Sequence, residues 1–151
     1  MKPGSALAKA GLFAFGYLVA VSVAVAVTEA IMVAPMALPD RGANGSILAL
    51  VPDFPGMFAV GFFWTFFCAL PGFIVAIVIG ERRGWSRWMS YAFAGAANAL
   101  PSLAIFAGLA GSPFAMPAMI VGAFPGGFAG GAAYWFSAGR MVAGRRKRAS
   151  A

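Results

Sequence analysis

The feature that most constrains this chain is a series of four long apolar stretches joined by short connections. They cover residues 11–37, 54–79, 88–110 and 114–137. At about 1.5 Å per helical residue, each stretch is long enough to cross a hydrocarbon layer about 30 Å thick. The pattern therefore predicts an all-α membrane protein with four transmembrane helices, arranged as an up-down bundle of two hairpins.

The composition agrees with this class of protein. Hydrophobic residues make up 62% of the chain and charged residues only 10%, whereas about a quarter of the residues in soluble proteins are charged. Lipid satisfies no backbone polar group, so only helices or closed barrels can span it, and continuous apolar runs favour helices. The outer loop at 38–53 and the basic tail at 138–151 are short. We therefore expect residues 1–151 to form a single integral membrane domain.

The basic residues predict the orientation of the chain. All of the 11 lysines and arginines except Arg41 lie on one side of the predicted spans. Because basic residues concentrate in cytoplasmic loops, both termini are expected to be cytoplasmic. The Ala-, Gly- and Arg-rich composition indicates a bacterial inner membrane. Residues close to the span ends are expected to bind anionic lipid headgroups rather than nucleic acid. They are Arg82, Arg83, Arg87, Arg145, Arg146, Lys147 and Arg148.

The first span has some features of a cleavable signal peptide. A basic start is followed by an apolar run, and Ala24-Val25-Ala26 offers a small-x-small cleavage pattern. However, the run continues to Leu38, which is longer than the usual signal core, and no polar mature start follows it. We therefore expect the first span to be retained, with cleavage as the alternative.

Small residues recur at every fourth position on the first and fourth spans. The helix-packing residues predicted from this pattern are Gly16, Ala20, Ala24, Gly122, Gly126 and Gly130. Such rows let helix backbones approach closely, and this contact drives association in lipid. The pattern leaves open whether they pack within the chain or against a partner. We also expect the glycine-rich fourth span to receive some of the aromatic rings of the second.

Prolines interrupt spans two to four, at Pro71, Pro101 and Pro125. Each removes one helix hydrogen bond and frees a carbonyl about one turn earlier, so kinks are expected in these three helices. The freed carbonyls belong to Phe67, Ala97 and Val121. The likeness of the sequences around Pro71 and Pro125 also hints at a repeat of two hairpins.

A few polar residues fall within the predicted spans. The candidate intramembrane polar residues are Glu29, Asn98, Thr65 and Ser102. Counting about 1.5 Å per residue from Trp88 places Asn98 near the midplane, and counting from Leu12 places Glu29 in the outer third. An intramembrane acid is costly unless it is protonated, paired or hydrated, and it is therefore a functional candidate. A structural role for Glu29, through lipid headgroups or Arg41, is the alternative.

The usual chemistry of active sites is missing from the sequence. The chain has no histidine, and its four carboxylates are too scattered to form a set of metal ligands. No base accompanies a nucleophile, and Cys68, the single cysteine, excludes an internal disulfide. We therefore expect no catalytic, cofactor-binding or metal-binding residues and no enzymatic activity.

Two local resemblances bear on function without assigning a family. The layout of four spans with one acid in the first resembles the small multidrug resistance transporters, and this resemblance implies proton-coupled export through Glu29. Residues 80–84, Gly-Glu-Arg-Arg-Gly, are similar to the core of a cytoplasmic loop in major facilitator transporters. The first likeness rests on layout and one residue, and the second on about five residues.

These features favour a non-catalytic structural or accessory subunit of a membrane assembly, with another membrane protein or a second copy of the chain as partner. The alternative is a small oligomeric transporter or channel with Glu29 and Asn98 as its polar path. A stoichiometric partner retained in mild detergent would favour the first hypothesis. A clean homo-oligomer would favour the second.

Overall fold

The computed structural model describes residues 3–37, 54–110 and 116–141, which are almost entirely helical. The elements are α1 (Pro3–Ala37), α2 (Phe54–Arg83), α3 (Trp88–Ala110) and α4 (Met116–Tyr134). A π-helical turn, Trp135–Gly139, continues α4. No strand occurs in these three segments. The helical class predicted from the apolar stretches is therefore confirmed.

In the described part of the chain, three helices are long and apolar enough to cross a membrane. The spanning segments are Leu7–Met32, Pro55–Arg83 and Trp88–Leu109. The expectation of four such spans is corrected, because α4 is not among them within the described residues. With 19 residues α4 is the shortest of the four α-helices.

α2 runs four residues beyond the predicted end of its span, to Arg83. It ends where Gly84 adopts a positive φ of 67° and the N–H of Trp85 donates to the Gly80 carbonyl at 2.9 Å. This is a Schellman cap, and glycine adopts its left-handed backbone without strain. Arg82 and Arg83 lie in the last turn, where a positive charge complements the helix dipole. The apolar run therefore predicts the end of the span, whereas Gly84 marks the end of the helix.

α4 packs against both α1 and α3, while α2 packs against α3 and, less extensively, α1. Contacts run in opposite directions along α1 and α4, since Gly16 lies against Ala138 whereas Thr28 lies against Gly122. The chain remains helical through 141. The first residues of the predicted basic tail are therefore part of the helical bundle.

The aromatic face of α2 packs on α1. A buried cluster of Tyr17, Val21 and Val25 contacts the side chains of Phe58, Phe62, Phe66, Leu70 and Phe73. The expectation that the glycines of α4 receive these rings is therefore wrong. The reason is that the glycine rows of α4 already contact the backbones of α1 and α3.

Candidate functional site

A cavity of about 400 Å³ lies between the helices and is lined by residues from all four. Glu29, Thr65, Asn98 and Ser102, the four polar residues singled out in the sequence, all contribute to its wall, as does Cys68. Most of the other lining side chains are apolar. This size, with a few polar groups in an apolar wall, is typical of a small-molecule site.

Glu29 brings an unusual group into this cavity. Its Oε2 atom is buried and has no hydrogen-bond partner among the described residues. A Cβ atom built at Gly61 would lie 2.7 Å from Oε1, so the glycine makes room for the carboxyl group. Arg41, the partner suggested by the sequence, lies outside the described residues. An unpaired carboxyl oxygen in an apolar wall is energetically costly. Binding of a ligand or ion that pairs with this oxygen removes that cost and is therefore favoured.

Asn98 links α3 to α2. Its Nδ2 donates to the Ala69 carbonyl at 3.0 Å, while Ser102 Oγ donates to the Asn98 carbonyl at 2.7 Å. A Cβ atom built at Gly72 would lie 1.6 Å from Asn98 Oδ1. Only glycine at position 72 allows the asparagine to occupy this place, so these two residues act as a pair.

Neighbouring helices supply hydrogen-bond donors beside Pro71. The Tyr17 hydroxyl of α1 donates to the Phe66 carbonyl, and Asn98 of α3 donates to the Ala69 carbonyl. Proline inside a membrane helix is tolerated when nearby groups satisfy the backbone around it. The sequence predicted a freed carbonyl close by, but not which side chains would reach this turn of α2.

A similar contact lies beside Pro125 in α4. Thr28 Oγ1 of α1 donates to the Gly122 carbonyl at 3.2 Å, three residues before the proline. Gly126, the residue after the proline, must be small, because a Cβ atom there would lie 2.1 Å from Thr28 Oγ1 and 2.6 Å from the Ala24 carbonyl oxygen.

The structure places the six predicted helix-packing residues along one interface inside the chain. A Cβ atom at Gly130 would lie 2.7 Å from the Ala20 carbonyl oxygen, and one at Gly16 would lie 2.6 Å from Ala138 Cβ. The full set at the contact of α1 with α4 is Gly16, Ala20, Ala24, Gly122, Gly126 and Gly130. These rows are therefore used within one molecule.

The opposite face of α4 is equally close to α3. A Cβ atom at Gly131 would lie 2.1 Å from the Tyr91 carbonyl oxygen, and one at Gly95 would lie 2.2 Å from the Gly127 carbonyl oxygen. The sequence analysis did not identify Gly95 as a packing residue. The available signal was a small-residue row on α3, whose members Ala92, Ala96 and Ala99 are buried.

An aromatic layer crosses the end of the cavity nearest the start of α1. Ring centroids are 4.4 Å apart for Tyr17 and Phe73, 5.2 Å for Phe73 and Tyr134, and 5.5 Å for Tyr134 and Tyr91. Each helix supplies one ring. The sequence analysis missed this layer, although tyrosines within apolar spans usually require a hydrogen-bond partner and so mark an internal contact.

Charged residues gather at this same end. Lys9 Nζ lies 2.5 Å from Glu81 Oε1, a pair that the sequence analysis did not anticipate. Arg82, Arg83 and Arg87, three of the predicted lipid-binding residues, are exposed beyond it. The other predicted lipid-binding residues, Arg145, Arg146, Lys147 and Arg148, lie outside the described part of the chain.

No family model, no curated protein and no solved structure matches the chain. Within the described residues, no group of three or more His, Cys, Asp or Glu side chains is placed to hold a metal ion.

Proposed function

We propose that this protein is a small oligomeric transporter or channel that holds its solute in the cavity between its helices. The observation that carries the proposal is the convergence of Glu29, Thr65, Asn98 and Ser102 on one cavity. They come from three helices, α1, α2 and α3. Glu29 and Asn98 then form the polar path, since an intramembrane acid without a partner is typical of ion and solute pathways.

Of the two hypotheses drawn from the sequence, the geometry favours a transporter or channel over an accessory subunit. The small-residue rows supported an accessory subunit because they offered faces for a partner helix. Those on α4 and their counterparts on α1 and α3 are occupied within the chain. They therefore no longer favour a partner, whereas the polar cavity directly favours solute binding.

The proposed setting is the bacterial inner membrane, with an up-down order of helices, kinks at the three prolines, and both termini in the cytoplasm. The reversed contacts between neighbouring helices support the up-down order. The charged end supports the orientation, because Lys9, Arg82, Arg83 and Arg87 lie together there, and basic residues favour the cytoplasmic side. In this arrangement α4 also crosses the membrane. It does not qualify as a span by itself, but it lies between α1 and α3 and contacts both along its length.

The accessibility of Cys68 tests the proposal. Cys68 is buried, at 4% exposure, and lines the cavity. In proteoliposomes, a small membrane-impermeant methanethiosulfonate reagent should modify it from at least one aqueous face. Failure to react from either face, with full reaction after denaturation, would overturn the proposal of a solute path.

A matched variant controls for reagent that enters the lipid. In Cys68→Ser/Val78→Cys the thiol moves to an exposed position on the same helix, since Val78 is 44% exposed and does not line the cavity. This thiol faces lipid and should stay unmodified. Equal modification of both thiols would show that the reagent reports lipid access rather than an aqueous cavity.

An accessory role remains the second candidate because α2 carries an exposed aromatic pair. Phe63 and Phe67 are 59% and 55% exposed, and their ring centroids are 4.9 Å apart. Another membrane protein is a suitable occupant for such a surface. Purification in mild detergent followed by mass spectrometry should then find a stoichiometric partner that Phe63→Ala/Phe67→Ala loses. A homo-oligomer unaffected by the substitutions would contradict this role.

A further inference from the structure

Four hydrogen-bond donors around the cavity are occupied by the protein itself. Tyr17, Thr28, Asn98 and Ser102 line the cavity, and each donates to a backbone carbonyl within the bundle. A hydroxyl that donates in this way retains oxygen lone pairs. These four side chains therefore offer a ligand mainly acceptor atoms.

The charge of the lining also favours a ligand that donates hydrogen bonds. Glu29 supplies the one carboxyl group of the described lining, and neither lysine nor arginine lines the cavity in this part of the chain. Its Oε2 atom is buried without a partner. A positively charged donor is the complement of this atom, because hydrogen bonds between charged groups are the strongest available to a carboxylate. An anion would meet only repulsion there.

The remaining wall suits an apolar, flat body. Trp64 and Phe106 line the cavity and meet edge to face with centroids 5.6 Å apart. Trp64 lies one turn of α2 beyond Gly61, which contacts the Glu29 carboxyl group. Aromatic rings close to an acid favour a ligand whose cationic end and apolar end lie close together.

We propose that the cavity binds a protonated primary or secondary amine with an apolar, ring-sized body. The ammonium N–H groups donate to Glu29, and the body lies against Trp64 and Phe106. This inference rests on the proposed function, because it names the solute class of the same cavity. It requires N–H donors as well as positive charge, and so separates amines from quaternary ammonium compounds of similar size.

Three probes with the same naphthalene ring distinguish these requirements. Binding of 2-(2-naphthyl)ethylamine, its N,N,N-trimethyl derivative and 2-(2-naphthyl)ethanol to the full chain in lipid nanodiscs is measured by equilibrium dialysis, with empty discs subtracted. The amine should bind saturably, at one molecule per chain. The other two should bind at least about 10-fold more weakly, since each loses a charge-assisted hydrogen bond. Equal affinity of amine and alcohol, or of amine and quaternary compound, would overturn the inference.

A pair of matched variants locates the site. Glu29→Gln should weaken amine binding at least about 10-fold, whereas Glu81→Gln should bind as the native chain does, because Glu81 pairs with Lys9 and does not line the cavity. Native affinity in Glu29→Gln would refute the assignment. If that variant does not fold, the three probes on the native chain still decide the question.

The amine-binding test and the Cys68 modification test can fail independently of each other. Modification of Cys68 from an aqueous face without amine binding would leave a solute path standing and remove the solute class. Saturable amine binding with an unreactive Cys68 would retain the ligand and refute transport.

Discussion

The pairing of Gly72 with Asn98 predicts that Gly72→Ala destabilises the native chain but stabilises a chain that carries Asn98→Ala. In the native chain, the three atoms nearest to a Cβ built at position 72 all belong to the Asn98 side chain, at 1.6, 2.5 and 3.1 Å. Gly72→Ala therefore forces Asn98 to turn away and give up its bond to the Ala69 carbonyl. In the Asn98→Ala background these three atoms are absent.

The magnitude follows from three contributions. Loss of an interhelical hydrogen bond in a membrane costs about 0.6–2 kcal/mol, and crowding in a packed interior costs about 1–3 kcal/mol. Alanine in a helix recovers about 1 kcal/mol relative to glycine. Gly72→Ala should therefore lower the free energy of unfolding by about 0.6–4 kcal/mol in the native chain. In the Asn98→Ala background it should raise the free energy of unfolding by about 0.5–1 kcal/mol.

Reversible unfolding in mixed detergent and SDS micelles measures these free energies for the four members of the double-mutant cycle. The coupling energy between the two sites should be about 1–5 kcal/mol, above the deviation from additivity of distant sites. Equal effects of Gly72→Ala in both backgrounds would refute the reasoning, because the cost would then come from something other than Asn98.

Three further predictions concern packing, the acid and the topology. Gly126→Leu should destabilise the protein by about 1–3 kcal/mol or more in the same unfolding assay. Gly108→Leu should have little effect, because a Cβ atom at position 108 meets nothing within 4 Å. Equal effects of the two substitutions would contradict the α1–α4 contact. Glu29→Leu should raise the free energy of unfolding by about 1–3 kcal/mol, because it removes a buried oxygen without a partner among the described residues. The same substitution should abolish amine binding. A fall in stability would show that the carboxyl group is paired. Reporter fusions after Ser46 and Ser150 should lie outside the cell and in the cytoplasm, respectively, and an external C-terminus would contradict the proposed orientation.

The helices were predictable because a membrane span depends on the length of a local apolar run. The predicted third span, 88–110, coincides with α3. The helix ends beyond the membrane were harder, because α1 starts at Pro3 and α2 continues to Arg83, where charged residues lower hydropathy without interrupting the backbone hydrogen bonds. Hydropathy detects contact with lipid, whereas helix ends depend on caps such as Gly84.

The members of the site were predictable, but not their arrangement. Glu29 and Asn98 stand out because polar residues are rare in apolar spans. Their convergence depends on which helices are neighbours, and a row of small residues does not identify its partner. Gly61 and Gly72 show the limit most clearly, since each is needed because of one side chain on another helix, and no pattern within α2 indicates that contact.

Close backbone contact on two faces explains the place of α4 in the bundle. Its two glycine rows bring its backbone to the backbones of α1 on one side and α3 on the other. A helix covered by two neighbours needs less lipid-facing surface, because association in lipid depends on close packing rather than on hydrophobicity. α4 is therefore placed in the bundle by backbone contact, and substitutions that make it more apolar, such as Gly126→Leu, should weaken its association.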